Sequence, residues 1–273
     1  MILVTGATGN AGGALIRALA ETGTPVRALV RRQVDLPAEL ALGDLNDPAS
    51  VAGALTGVRG VFLLSGYDRM ADTLQEIRTA GVERVVLLSA SAAEATDVDN
   101  PVSGYHVESE ALVRASGIPW TILRPRTFMS NTFQWADAIK AGEPVRAAWP
   151  DVAVATVDPA DIGAVAARAF LDDGHDGQVH RLTGPQALRP ADRLAVLGRV
   201  LGRDLPLHAL TAEEARADLK AAMPEPYADA FYGFFGEGHL DESAVLPTVE
   251  QVTGRPPGTF EQWAQANAAA FRP

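Results

Sequence analysis

The feature that most constrains this chain is a glycine-rich turn lying between an apolar run and a helical pattern. Residues 2–4 are apolar, and the segment T-G-A-T-G-N-A-G-G follows them with Gly6, Gly9 and Gly12 three residues apart. A helical apolar pattern then begins at Ala14. This order predicts a strand, a tight turn and a helix whose N-terminus receives the pyrophosphate of a dinucleotide.

The spacing of these glycines is G-x-x-G-x-x-G and differs from the G-x-G-x-x-G of many dehydrogenases. An ordinary structural turn is therefore the alternative interpretation. Backbone N–H groups and the helix dipole would supply the attraction for phosphate, so no lysine is required. The predicted phosphate-binding residues are Gly6, Thr8, Gly9, Asn10, Ala11 and Gly12.

A second strand is predicted over residues 26–30, and it ends in two arginines. Arg31 lies about twenty residues beyond the glycine turn, where an NAD site carries a carboxylate and an NADP site carries an arginine for the 2′-phosphate. The alternative is that Arg31 and Arg32 are solvated loop residues. We expect the cofactor to be NADP(H).

The rest of the N-terminal half alternates strands with helices. Continuous apolar runs are typical of strands buried on both faces of a parallel sheet. The alternation predicts an α/β, Rossmann-like, doubly wound parallel sheet. The further strands are predicted at residues 40–43, 60–65, 84–89 and 119–123, with a helix over 102–115. Because ligands bind at the carboxyl ends of such strands, further cofactor contacts are expected from Asp44, Leu45, Leu64, Ser65, Gly66 and Ser89.

The pattern becomes looser after residue 125, and short helices separated by prolines predict a smaller, mainly helical C-terminal lobe. The interpretation places a helix at 128–140, a strand at 152–157, a helix at 162–170 and a last strand at 179–182. A dinucleotide-binding domain is assigned to residues 1–133 and completed by about 151–183. Residues 184–273 with 134–150 form the substrate-side lobe, which is expected to close over the cofactor.

Composition and charge exclude several classes of function. A net charge of −11 argues against nucleic acid or an anionic membrane as partner. The absence of cysteine excludes a thiol nucleophile, and the histidines show no metal-ligand spacing. No signal peptide and no run as long as a membrane helix is visible. A soluble cytoplasmic protein, monomeric or homodimeric and without a metal, is expected.

Three segments carry a resemblance to a known family. They are T-G-A-T-G-N-A-G-G at the start, S-G-Y-H-V-E-S-E-A-L-V-R-A-S-G-I-P-W-T-I-L-R-P-R-T-F-M-S-N in the middle and V-T-G-R-P-P-G-T-F-E-Q-W-A near the end. Together they resemble the NmrA-like branch of the atypical short-chain dehydrogenases. That branch includes type-two quinone oxidoreductases and triphenylmethane reductases, so the resemblance implies a reductase but no particular substrate.

The wider superfamily reduces carbonyls with a Tyr-x-x-x-Lys pair, which this chain lacks. Aligning Glu110 with the glutamate that follows the family lysine puts His106 at the lysine position and Val102 at the tyrosine position. The resemblance then implies that His106 holds the nicotinamide ribose or donates a proton, with Glu110 one helical turn on to orient it. A His–Glu pair on the surface is the alternative.

The absence of the Tyr-x-x-x-Lys pair constrains the chemical class of the acceptor. Reduction of a simple ketone produces a basic alkoxide that needs a positioned acid, whereas a quinone or other conjugated acceptor produces a delocalised anion that water can protonate. We therefore expect an aromatic or conjugated small-molecule acceptor. The candidate catalytic residues are His106, Tyr105, Ser89 and Ser91. The resemblance implies that Ser91 corresponds to the family's catalytic serine, and ordinary turn serines are the alternative.

The resemblance also implies a segment on the substrate side, consisting of Arg124, Phe128, Met129 and Asn131. Phe128 and Met129 are equally compatible with a role in the core. An aromatic pocket built from Trp135, Tyr232 and Phe235 is a further hypothesis.

Three functions are consistent with these patterns. The first is an NADP(H)-dependent oxidoreductase that transfers hydride to a quinone-like or otherwise conjugated acceptor. The second is a non-catalytic protein that senses the NADP redox state and regulates a partner, which the same missing residues favour. The third is an isomerase or dehydratase that retains its cofactor, for which the sequence offers no positive sign.

Overall fold

The computed structural model describes residues 1–95 and 99–273, and it confirms the predicted α/β fold. Seven parallel strands form one sheet in the order β3-β2-β1-β4-β5-β6-β8, and two short strands, β7 and β9, pair elsewhere within the described residues. The strands are β1 Ile2–Val4, β2 Val26–Val30, β3 Glu39–Leu42, β4 Gly60–Leu64, β5 Arg84–Leu88, β6 Trp120–Pro125, β7 Val145–Ala147, β8 Gln178–Leu182 and β9 Leu207–Ala209.

Helices cover both faces of the large sheet and build the C-terminal region. They are α1 Asn10–Glu21, α2 Pro48–Ala54, α3 Met70–Thr79, α4 Pro101–Ala115, α5 Ala136–Ala141, α6 Pro159–Leu171, α7 Pro190–Leu201, α8 Ala212–Ala222, α9 Glu225–Phe235, α10 Thr248–Thr253 and α11 Phe260–Ala266. Three 3₁₀ turns add Ser91–Glu94, Met129–Trp135 and Ala268–Phe271. None of the described helices is long and apolar enough to cross a bilayer.

Local sequence signals explain where the two central helices begin. Asn100 precedes α4, and its side chain accepts hydrogen bonds from the backbone N–H groups of Val102 and Ser103. Asp158 caps α6 in the same way through Ala160 N–H. A proline follows each cap at the first helical position, where its missing N–H costs nothing.

Two hydrophobic clusters fill the two faces of the sheet. One lies between the sheet and helices α1 and α6, and the other lies between the sheet and helices α2, α3 and α4. Because both faces are buried, the central strands are apolar throughout, as the sequence predicts. A third cluster is the core of the C-terminal region, and Met129, Trp135, Leu197 and Trp263 belong to it.

Helix α6 packs closely against helix α1. A Cβ atom added to Gly163 would lie 2.5 Å from the carbonyl carbon of Ala14, so only glycine permits this approach. Asp161 of α6 accepts a hydrogen bond of 2.8 Å from Gly258 N–H and forms an ion pair of 2.9 Å with Arg255. Burial raises the pKa of Asp161, although those two partners oppose the rise.

The structure differs from the sequence prediction in three places. The helix predicted at 128–140 is divided into a 3₁₀ turn and α5. The strand predicted at 152–157 is wrong, because only isolated bridges form there, Val154 with Leu188 and Val157 with Phe128. The pair β7–β9 was not predicted, since strands of three residues carry too little alternation to be recognised.

Candidate active site

A cleft of about 850 Å³ lies at the carboxyl ends of β1, β2 and β4. The glycine turn forms one wall, and the segments after β2 and β3 form another. Leu64, Leu88 and Phe128 close the end that faces the middle of the sheet. The lining residues include the predicted Gly6, Thr8, Gly9, Asn10, Ala11, Gly12, Arg31, Asp44 and Leu45.

The N-terminus of α1 points its free backbone groups into this cleft. Gly9 precedes the helix in an extended conformation, without a side-chain cap, and the first turn carries no acidic residue. Gly6 has a φ of 60°, which favours glycine. A Cβ atom on Gly12 would lie 2.3 Å from the carbonyl oxygen of Gly6, so the turn and helix approach as closely as glycine allows. These donors fit a diphosphate.

The opposite wall of the cleft carries the charged residues expected to meet the adenosine. Arg31 is exposed there, beside Arg32, Asp44 and Tyr67. Burial raises the pKa of Tyr67, the charge of Asp44 adds to the rise, and Arg31 opposes it. Arg31, Asp44 and Tyr67 therefore line the same cleft.

The loop after β4 is held by hydrogen bonds to its neighbours. Ser65 donates its hydroxyl to Leu88 O at 2.7 Å. Gly66 has a φ of 87°, and its N–H donates to Ser109 Oγ at 3.1 Å. A Cβ atom on Gly66 would lie 3.1 Å from the ring of Tyr105, so glycine leaves room for that ring.

His106 is buried on α4, with 9% of its surface exposed. Its ring lies 4.3 Å from the ring of Tyr105, and its Nδ1 has no hydrogen-bond partner among the described residues. Burial lowers the pKa of His106 to about 4, against the opposing charge of Glu110. The alternative of a His–Glu surface pair is therefore wrong, and His106 is neutral near pH 7.

Glu110 does not hold His106, which corrects the predicted orientation. The carboxylate, 1% exposed, accepts from Ser89 Oγ at 2.7 Å, from Arg124 Nε at 2.8 Å and Nη2 at 2.6 Å, and from Arg114 at 2.8 Å. Burial alone would raise its pKa, but the hydrogen bonds from Arg124 and Ser89 outweigh burial and lower it. Glu110 therefore fixes Ser89 and the end of β6.

The substrate-side residues lie in different environments. Arg124 also contacts Glu94 at 3.2 Å, so its guanidinium is committed to two carboxylates instead of facing an acceptor. Met129 is 1% exposed in the core of the C-terminal region, which corrects its assignment to the substrate side. Phe128 lines the cleft, and Asn131 is exposed.

Sequence reasoning missed two residues near Ser91. The buried Ser91 donates its hydroxyl to the carboxylate of Glu242, which comes from the segment after α9. The same carboxylate accepts from Thr127 Oγ1 at 2.5 Å and from Thr127 N–H at 3.3 Å. Thr127 lies inside the segment that carries the resemblance, but no pattern marked Glu242, which is 151 positions from Ser91.

The hypothetical aromatic pocket is not assembled by the contacts in the described part of the chain. Trp135 is buried beneath the guanidinium of Arg193, at 4.9 Å. Tyr232 stacks with Arg216, and Phe235 packs against Trp149 at 5.3 Å. No group of three or more metal-ligating side chains occurs among residues 1–95 and 99–273.

Comparisons with known proteins agree with this geometry. The model of the NmrA-like family matches residues 1–255. The chain is 41% identical to the (4-alkanoyl-5-oxo-2,5-dihydrofuran-3-yl)methyl phosphate reductase of Streptomyces griseus over all of both chains, and 36% identical to the NAD(P)H azoreductase of Xenophilus azovorans over 99% of both. The quinone oxidoreductase QOR2 of Escherichia coli in complex with NADPH superposes with a TM-score of 0.81 at 26% identity, covering 97% of this chain and 99% of that one.

Proposed function

The chain belongs to the NmrA-like family, and from that membership we propose that it is an NADPH-dependent reductase of conjugated small-molecule acceptors. Its relatives are named as reductases, and one similar structure contains NADPH.

The observation that carries the proposal is the pairing of two anion-binding features in one cleft. The uncapped start of α1 at Gly9–Gly12 is suited to a diphosphate, and Arg31 across the cleft is suited to a 2′-phosphate. In a chain with a net charge of −11, these are local positive features in a negative protein. NADPH carries both kinds of phosphate, which is why we prefer it to NADH.

Residues that follow Leu64 and Leu88, beyond the end of the cleft that these two side chains close, would position the nicotinamide and the acceptor. The bound cofactor supplies a hydride to the acceptor. Gly66 leaves room beside the Tyr105 ring, and neutral His106 can accept or donate one hydrogen bond to a ribose hydroxyl. Ser89 is fixed by Glu110 and keeps the end of β5 in place. Orientation of this kind accelerates transfer by placing the reacting atoms together.

The residue at the tyrosine position supports the proposed acceptor class. Val102 is buried there in an apolar cluster with Ala92 and Phe234, so no phenol reaches the site from α4 at this point. A conjugated acceptor suits this arrangement, because the negative charge left by hydride addition is delocalised. The Streptomyces griseus relative is named for a dihydrofuranone whose ring double bond is conjugated with a carbonyl. We propose acceptors of that kind, quinones and azo compounds as the panel to test.

The test is to follow NADPH and NADH oxidation by the purified protein with that panel, together with binding of both cofactors measured by calorimetry. We expect NADPH to bind more tightly than NADH and at least one conjugated acceptor to be reduced. Tight binding of NADPH without turnover of any acceptor would favour the redox-sensing alternative, which the buried Val102 also permits. Absence of NADPH binding would overturn both.

A further inference from the structure

Arg126 is a buried arginine that has no part in the proposed function so far. It lies directly after β6 and is 8% exposed, and its Nε–H has no hydrogen-bond partner among the described residues. We propose that Arg126, together with Arg181 of β8, binds an anionic group of the acceptor, and that this group is a phosphate monoester. We rest this inference on the proposed reductase function, whose substrate class it narrows.

The arginines around this position outnumber the carboxylates that contact them. The Glu94 carboxylate lies 2.6 Å from Arg181 Nε and 3.2 Å from Arg124 Nη1. Its Oε2 lies 3.9 Å from Arg126 Nη1, which is too long for a hydrogen bond. Within ion-pair distance, the described residues place four guanidinium groups around two carboxylates, namely Arg114, Arg124, Arg126 and Arg181 around Glu94 and Glu110.

Two further carboxylates come from the segment after α9, and neither forms an ion pair with Arg126 in the part of the chain that the structure describes. Asp241 is exposed and accepts from Ser243 N–H at 2.8 Å. Hydrogen bonds from Ser243 lower the pKa of Asp241, and the charge of Arg126 adds to this fall from beyond ion-pair distance. Glu242 accepts from two hydroxyl groups and one backbone N–H instead. A buried guanidinium without a hydrogen-bonded carboxylate is destabilising, and a bound anion would offset that cost.

The backbone position of Arg126 relates it to the cleft. Its N–H donates to Leu182 O at 2.9 Å, which ties the residue to the carboxyl end of β8. Phe128, two positions further on, lines the cleft together with Leu88 at the end of β5. Ligands of parallel sheets bind beyond the carboxyl ends of the strands. The proposal therefore places the conjugated ring of the acceptor against Phe128 and its anionic substituent at Arg126.

The chemistry of the two arginines favours phosphate over carboxylate. A phosphate monoester offers three acceptor oxygens and close to two negative charges at neutral pH. A guanidinium presents paired N–H donors that match two of those oxygens. Arg126 supplies a free Nε–H, and Arg181, whose side chain is 56% exposed, supplies a second positive charge on the solvent side. Two guanidinium groups suit a dianion better than the single charge of a carboxylate.

The test compares two quinones that differ only at the end of a short alkyl side chain, which carries either a hydroxyl or a phosphate monoester. The ring and its reactivity toward hydride are the same in both. We expect wild-type protein to show a kcat/KM about 10-fold higher for the phosphate compound, mainly through a lower KM. Arg126→Gln should reduce the ratio of the two kcat/KM values to about one, because the hydrogen-bonded charge is lost.

A second variant and a control guard against a loss of folding. Arg181→Gln changes an exposed side chain and should lower the ratio by about 3-fold, as expected for a solvent-exposed charge. Arg146→Gln removes a similarly exposed arginine, paired with Asp218 at 2.9 Å, and should leave the ratio unchanged. NADPH affinity, measured by calorimetry, should be the same in all three variants.

Binding of phenyl phosphate gives a readout that needs no turnover. Calorimetry is carried out on the protein saturated with NADPH, so that the site proposed for the cofactor's own phosphates is already filled. We expect phenyl phosphate to bind to this complex of the wild-type chain. The Arg126→Gln complex should bind it at least about 10-fold more weakly.

Three results would overturn the inference while leaving the proposed function intact. The first is equal kcat/KM values for the two quinones in wild-type protein. The second is a preference for the phosphate compound that persists in both arginine variants, because another group would then bind the phosphate. The third is a ratio that Arg181→Gln leaves unchanged when Arg126→Gln does not fold. A wild-type protein that reduces neither quinone would instead count against the proposed function, and the inference with it.

Discussion

At the proposed phosphate end of the cleft, backbone N–H groups of one continuous segment face solvent, whereas on the proposed acceptor side buried carboxylates hold the serines that follow β5. The first end depends on glycines and on the start of a helix. The second depends on Glu110 and Glu242, which bind Ser89 and Ser91 across 21 and 151 positions. The first end is thus built by local backbone geometry, and the second by side-chain contacts between distant parts of the chain.

The two ends should therefore be sensitive to different kinds of substitution. The phosphate end tolerates changes of side chain but no added volume at the turn. The acceptor end tolerates little change of charge, because removing one partner of a buried ion pair leaves the other uncompensated.

The largest effect is expected on stability at the acceptor end. Glu110→Gln removes the charge that balances Arg124, and the free energy of unfolding should fall by about 3 kcal/mol, measured by urea denaturation. Glu108→Gln, on the exposed face of the same helix, should change it by less than about 0.5 kcal/mol. Equal stability of the two variants would show that the buried network is not needed for folding.

The next effect is expected at the phosphate end. Gly12→Ala places a methyl group against the carbonyl of Gly6, so the turn must move, and NADPH affinity should fall by about 100-fold, or about 2.8 kcal/mol. Gly13→Ala is the matched control, because its Cβ would meet no atom closer than 3.6 Å. Calorimetry measures both. Loss of affinity in the Gly13 variant as well would contradict the steric argument.

A smaller effect is expected from the charge across the cleft. Arg31→Ala should weaken NADPH binding by about 10-fold, since one charge-assisted contact to the 2′-phosphate is lost. NADH lacks that phosphate, so its affinity should not change and serves as the internal control. If the affinities for NADPH and NADH fall together, Arg31 does not contact the 2′-phosphate.

The smallest effect concerns pH. His106 and His180 both have a pKa of about 4 in the folded chain, through burial in each case and, for His180, also through the charge of His175. Between about pH 6.5 and pH 4 the unfolded chain binds more protons than the folded one, so stability falls as the pH falls. We expect the free energy of unfolding to decrease steadily across this range, measured by denaturation as a function of pH. His106→Gln should flatten the profile, and an unchanged slope would contradict the burial argument.

The contrast also explains what the sequence could predict. The parallel sheet and the glycine turn follow from local signals, since an apolar run and three glycines lie within a few residues of one another. The prediction that Glu110 orients His106 was wrong because a spacing of four residues shows only that two side chains share a face. It cannot show that the carboxylate accepts hydrogen bonds from Arg124, which lies fourteen positions away in the sequence. Glu242 left no signal, because a lone glutamate in a loop is usually solvated.

The packing of α6 against α1 has a consequence for the order in which contacts form while the chain is synthesised. Residues 2–16 leave the ribosome long before Arg255 and Gly258. Asp161 of α6, however, receives its hydrogen bond from Gly258 N–H and its counter-charge from Arg255. The helix that packs against α1 therefore gains its last contacts only after the C-terminal part of the chain has been synthesised. A chain that ends before residue 255 would leave the buried Asp161 without either partner on the helix that packs against α1.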